Sequence, residues 1–144
     1  MNDSAFVKCA QIVLRVGLGT AFLSASADRF GLWGPNGAPG VSWGDWSHFM
    51  VYASKLNWFT PAPLVPIAAG IATAAEVVFG IALLTGIYLR WAALGSAALL
   101  GIFFIAMAGA SGIKAPLDYS VLSGLGGAFL LAALNPPPEA KLNQ

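Results

Sequence analysis

Charge is what this sequence most conspicuously lacks. Its 144 residues hold 7 Lys and Arg and 6 Asp and Glu, 9% of the chain, against about 25% in an ordinary soluble domain. So few charges cannot keep a globular surface wetted, which excludes a water-soluble domain as the expected class. The formal net charge of +1 gives no sign of the basic face that nucleic-acid binding needs, so no nucleic-acid partner is expected. Cysteine occurs once, as Cys9, which rules out an intrachain disulfide and any CxxC redox pair. Histidine also occurs once, as His48, too few for bis-His haem ligation or a metal cluster. No catalytic residue, metal site or intrinsic cofactor is therefore assigned, and the reading leans away from an enzyme acting as an isolated chain.

Apolar residues fill the space that charge leaves. They make up 58% of the chain, with a mean hydropathy of +0.75, and they gather into runs near the roughly 20 residues that a bilayer core requires. The expectation is an all-α integral membrane protein: a single domain over 1–144, built as an antiparallel four-helix bundle. The spans are placed at about 9–30, 61–87, 88–110 and 115–134. In the first, Ser24-Ala25-Ser26-Ala27 after an apolar run also fits a signal-peptide cleavage site, but a retained membrane helix is the preferred reading. The tail NPPPEAKLNQ ends the helical pattern, because consecutive prolines remove donors and clash.

Residues 31–60 differ in kind. GLWGPNGAPG reads as loop. Trp43, Trp46, Phe49, Met50, Ala53 and Leu56 then recur at helical spacing, with Asp45, His48, Tyr52 and Lys55 opposite. That two-faced pattern predicts an amphipathic helix at 42–57 lying in the interface between spans one and two, with Trp43, Trp46, His48 and Lys55 as its marker residues. Trp33, Trp43, Trp46 and Trp58 fit an aromatic belt at headgroup level.

Two polar sets stand out as candidate sites. Glu76 lies deep in the second span, where a carboxylate costs about 2.5–3.5 kcal/mol on insertion scales. Counting depth from the span ends at 1.5 Å per residue puts Arg15 about one turn from it, so a buried Arg15–Glu76 ion pair is expected, with Arg90 the lesser candidate. This pair is either an assembly clamp or one wall of a polar pocket. The second set, Asp28, Arg29, Lys114, Asp118 and Tyr119, gathers at the outer mouth, with His48 and Lys55 within reach. It is either a row of charges at helix ends or a site covered by the 42–57 helix. Small residues share helix faces, as in Ala69, Thr73 and Gly80 beside Glu76, and Ser120, Gly124 and Gly127 in span four. They permit close backbone contact where hydrophobicity gives helices no drive to associate.

LRVGLGTAFL in span one, AAEVVFGIALLTG followed by YLRWAAL, and the four-span layout together resemble the DoxX family of small bacterial membrane proteins. DRFGLWGPNG, WGDWSHFMVYASKLN and KAPLDYS are similar to one subgroup of it. The likeness runs from about Gln11 to Ala133, and Arg15, Gly19, Glu76, Gly80, Gly86 and Arg90 match the family pattern. The chain departs from many members near the end of span one, where Ser26-Ala27-Asp28-Arg29-Phe30 stands in place of a glycine and a lysine. The resemblance implies a membrane subunit or tether for redox enzymes, some relatives being similar to subunits of thiosulfate:quinone oxidoreductases.

The expected function is thus a non-catalytic membrane subunit or scaffold for a redox-linked partner. Two alternatives stay open: a quinone- or lipid-binding oxidoreductase subunit, with quinone as the ligand, and a small-solute carrier using Glu76 as proton site. Membrane lipid and either a protein partner or further copies of the chain are the expected partners. Four spans put both termini on one side, with Lys8, Arg15, Arg90 and Lys141 against Arg29, Lys55 and Lys114 on the other. That one-residue margin favours cytoplasmic termini, and the resemblance to DoxX proteins implies a bacterial inner membrane.

Overall fold

The long apolar runs become long helices wherever no proline or glycine turn interrupts them. The computed structural model describes residues 3–137, and helices are the only regular secondary structure among them. α1 spans Asp3–Arg29, α2 Trp46–Leu56, α3 Val65–Thr85, α4 Leu89–Ser111, α5 Lys114–Asp118 and α6 Val121–Ala133. A 3-10 turn at Ala62–Leu64 leads into α3. Three of these helical stretches are long and apolar enough to cross a membrane: Asp3–Arg29, Ala62–Thr85 and Leu89–Ser111.

α1 packs on α3, α3 on α4, α4 on α6 and α6 back on α1. Alternate helices run in opposite directions, so one end of the assembly carries the start of α1 and the end of α6, and is called here the terminal end. The other, the cap end, carries α2 and the loop before it. Close contact depends on the absence of side chains. A Cβ at Gly19 would lie 3.0 Å from the Gly80 carbonyl oxygen, and one at Gly80 would lie 3.1 Å from that of Gly19, so α1 and α3 touch backbone to backbone here. The core is correspondingly small-grained: Ala93, Leu83, Leu131 and Ala132 are buried at its centre with Phe22 and Leu99. Ile67, Ile71, Val78, Ile102 and Ile105 face outward, as helices solvated by lipid require.

Three boundaries depart from the sequence expectation. The fourth span, expected unbroken at 115–134, is split into α5 and α6. Ser120 sits between them in left-handed geometry, φ 56°, so the helix cannot run through it. At 13 residues, α6 is about 20 Å long, short of a hydrocarbon core of about 30 Å. The first span starts earlier than expected, at Asp3 rather than Cys9. The cap helix starts later, at Trp46, because the Asp45 side chain accepts the His48 backbone N–H and fixes the helix start there. Trp43 therefore lies in the loop. Tyr52, expected on the polar face, is instead half-buried against Trp43. Lys141 lies outside the described residues.

Candidate functional site

Glu76 is buried midway along α3, 2% exposed, and its partner is Arg29 rather than Arg15. Arg29, 5% exposed, sits in the last turn of α1. Its Nη1 donates to Glu76 Oε2 and, at 2.6 Å, to the Thr73 hydroxyl, while Nη2 donates to Glu76 Oε1 at 3.1 Å. The Thr73 hydroxyl in turn donates a hydrogen bond to the Ala69 carbonyl at 2.8 Å. The result is a two-pronged, charge-assisted pair, the strongest geometry open to a guanidinium and a carboxylate.

Helix geometry explains the reach. From the Gly19–Gly80 contact, Arg29 is ten residues towards the cap end and Glu76 only four, an axial gap of about 9 Å. Side chains on a helix lean towards its N-terminus. On antiparallel helices this tilts Arg29 down α1 and Glu76 up α3, so the two lean towards each other across the gap.

The loop from 31 to 45 and α2 roof the pair. The Phe49 ring centroid lies 4.2 Å from the Arg29 guanidinium carbon and that of Trp43 lies 5.3 Å from it. Trp43 packs edge-on to Phe49 at 5.3 Å, and Trp46 stacks on Phe30 at 5.8 Å. Phe49 and Ala53 seal the roof onto Val65 and Ala69 of α3. The latch is Asp28. Its carboxylate accepts backbone N–H bonds from Ser42 at 2.7 Å, Trp43 at 3.2 Å and Gly44 at 2.9 Å. Gly44 adopts φ +73°, and a Cβ on it would collide with the backbone of Pro35 and Asn36, so only glycine closes the latch. Beneath the roof, Ser26 Oγ and Arg29 Nε are buried without a hydrogen-bond partner.

The remaining sequence candidates disperse. Arg15 donates to the Leu83 and Leu84 carbonyls at 2.8 and 3.1 Å, and Arg90 donates to the Ala132 carbonyl at 2.9 Å. Both thus cap helix C-termini at the terminal end, where unpaired carbonyls and the helix dipole attract a cation. The depth count for Arg15 failed because α1 extends six residues further than expected, which puts Arg15 level with the end of α3.

The outer polar set divides in the same way. Asp28 and Arg29 turn inwards to separate partners, while Lys114 pairs with Asp118 one helical turn on, with both side chains exposed, and Tyr119 is exposed. His48 Nδ1 lies 2.8 Å from Asp45 at the surface. The Asp45 carboxyl is held well below the usual carboxylate range, first by the Ser47 hydroxyl and then by the His48 backbone N–H. Burial raises the Tyr52 hydroxyl above its ordinary value; Tyr119 adds to this and Arg29 opposes it. Lys55 is exposed on α2. No group of three or more metal-ligating side chains occurs among the described residues.

Reading by residue missed Thr73, Ser26 and Phe49 as members of the site, and paired Glu76 with the wrong arginine. A signal for Arg29 was present. An Asp-Arg pair closing an apolar helix, followed by an aromatic-rich loop, leaves a guanidinium with a hydrocarbon side to lean into.

The family model described as methylamine utilisation protein MauE matches residues 7–118. The match takes in α1 to α5, with Arg29, Glu76, the latch and the aromatic roof, and stops short of α6. No curated protein and no solved structure matches the chain.

Proposed function

The chain belongs to the family of methylamine utilisation protein MauE, and on that premise we propose that it is a non-catalytic accessory subunit of a membrane-bound, redox-linked enzyme. The observation that carries this reading is how the intramembrane polar groups are used. Arg15 and Arg90 are tied to helix carbonyls, Arg29 to Glu76 and Asp28 to a loop. These contacts build a rigid frame rather than a reacting constellation, since none of them poises a nucleophile beside a base. The redox link rests on the resemblance to DoxX proteins in LRVGLGTAFL and AAEVVFGIALLTG. The chain is read as a four-helix bundle in the inner membrane, with α5 and α6 together forming the fourth crossing and α2 lying in the interface. Both termini are assigned to the cytoplasm.

Purification of the full chain from its native membrane in mild detergent tests the proposal. A stoichiometric protein partner bearing a redox cofactor is the expected result. A chain that purifies alone, and whose deletion leaves every membrane dehydrogenase activity unchanged, overturns it.

A second reading is favoured by one observation. Ser26 Oγ and Arg29 Nε are buried donors with nothing to donate to, and a quinone carbonyl is an acceptor of the right kind. In that case the subunit holds quinone for an oxidoreductase of the thiosulfate:quinone type. Quinone copurifying with the wild type and lost from Ser26→Ala would select this reading.

A further inference from the structure

Of the three charged side chains buried at the cap end, Asp28, Arg29 and Glu76, one is left over. Arg29 is matched by Glu76. Asp28, 6% exposed, has no ion-pair partner among the described residues; the N–H groups of Ser42, Trp43 and Gly44 are neutral dipoles that lower the cost of the charge without cancelling it. The carboxylate also lines an open cleft between α1 and the loop, together with Ala21, Ser24, Trp33 and Ser42.

Trp33 walls that cleft. Its indole N–H is already donated to the Ser24 carbonyl at 3.1 Å, so the ring has no donor left for an incoming anion and offers its π surface instead. A carboxylate beside an aromatic ring is the chemistry that selects an organic cation. Below the cleft, sharing Ala21, Ser24 and Trp33, a second groove continues down α1 over Leu23, Thr20 and Gly17. Thr20 turns its hydroxyl back onto the Val16 carbonyl at 2.6 Å, so the floor of the groove is apolar as well as shallow in side chains. A polar cleft at the end of a membrane helix, opening into an apolar track along that helix, has the shape of an amphiphile rather than of a free ion.

We infer that the Asp28 cleft binds the ammonium group of a membrane lipid, with Trp33 over the cation and an acyl chain lying along Gly17 and Ala21. No lysine or arginine lines either groove, so an anionic headgroup finds no counter-charge there and meets Asp28 instead. Phosphatidylethanolamine is the headgroup class that supplies a primary ammonium to the carboxylate.

Native mass spectrometry on the full chain, in detergent doped with equal phosphatidylethanolamine and phosphatidylglycerol, tests this. The wild type should retain phosphatidylethanolamine over phosphatidylglycerol by about tenfold, and ethylammonium should displace it. Asp28→Asn should bring the preference to within about twofold, and Trp33→Leu should reduce it about threefold or more. Trp33 is exposed and takes no part in the latch, so that variant carries the test if Asp28→Asn fails to fold. Ethylammonium binding with no lipid retained would move the site from a lipid to a free amine and overturn the lipid assignment. Equal retention of both lipids, or a preference that neither variant alters, would overturn the site itself.

Discussion

Arginine is used in two different ways at the two ends of this molecule. At the cap end Arg29 is buried, meets a carboxylate with both prongs, and lies under Phe49 and Trp43. At the terminal end Arg15 and Arg90 are only partly buried and meet backbone carbonyls alone. Access to water explains the difference. A guanidinium that can snorkel keeps part of its hydration, so the partial charges at a helix C-terminus suffice. One cut off from water needs a formal counter-charge, because its desolvation costs several kcal/mol. The lesson is that charge type alone does not say what a membrane-embedded arginine does; the distance to water does.

The largest expected effect breaks the cap end. Glu76→Leu leaves Arg29 buried and uncompensated, and should cost about 3–5 kcal/mol in reversible unfolding in detergent. Arg29→Leu combined with Glu76→Leu should recover much of that loss. Arg15→Leu combined with Glu76→Leu should recover none of it, and a rescue there would restore the pairing expected from depth counting. Next in size is the roof. Phe49→Leu keeps an apolar residue over the guanidinium but removes the ring, for a loss of about 1–2 kcal/mol.

A smaller change is expected at the terminal end. Arg15→Leu should cost only about 1 kcal/mol, since a cation at a helix C-terminus that keeps access to water is worth about that; a cost equal to that of Glu76→Leu would erase the contrast between the two ends. The smallest effect concerns the start of α2. Asp45 has a depressed pKa in the folded chain, so its contribution is present above the unfolded value of about 3.9 and is lost as pH falls through the lower folded value. Amide exchange of His48 and Phe49 should accelerate below that range. In Asp45→Asn, which keeps a capping oxygen without the charge, the pH dependence of their protection relative to the intrinsic exchange rate should disappear.

Much of the architecture was readable residue by residue, and the misreadings follow from a common cause. Apolar runs of about 20 residues announce helices because backbone groups in lipid have no other partner, so α1, α3 and α4 lie close to where they are expected. The break at Ser120 was invisible, since serine is no helix breaker by composition; only its left-handed backbone reveals the turn. The Asp28 latch was equally hidden, because it links a helix end to N–H groups 14 to 16 residues away. By sequence Arg29 falls in the outer polar set with Lys114 and Asp118, either a row of helix-end charges or a site under the 42–57 helix. Placing it with Glu76 requires the α1–α3 register, which the Gly19–Gly80 contact sets.

Composition and periodicity alone determined that this chain lives in lipid, that it is helical, and that Glu76 must be neutralised by something. Those conclusions follow from local free energies, which every residue carries with it. Tertiary structure alone decided which cation answers Glu76, what covers the pair, and which carboxylate is left without a counter-charge. Those are differences in axial offset of a few ångströms between neighbouring helices, and no residue encodes such an offset until the backbones are in contact.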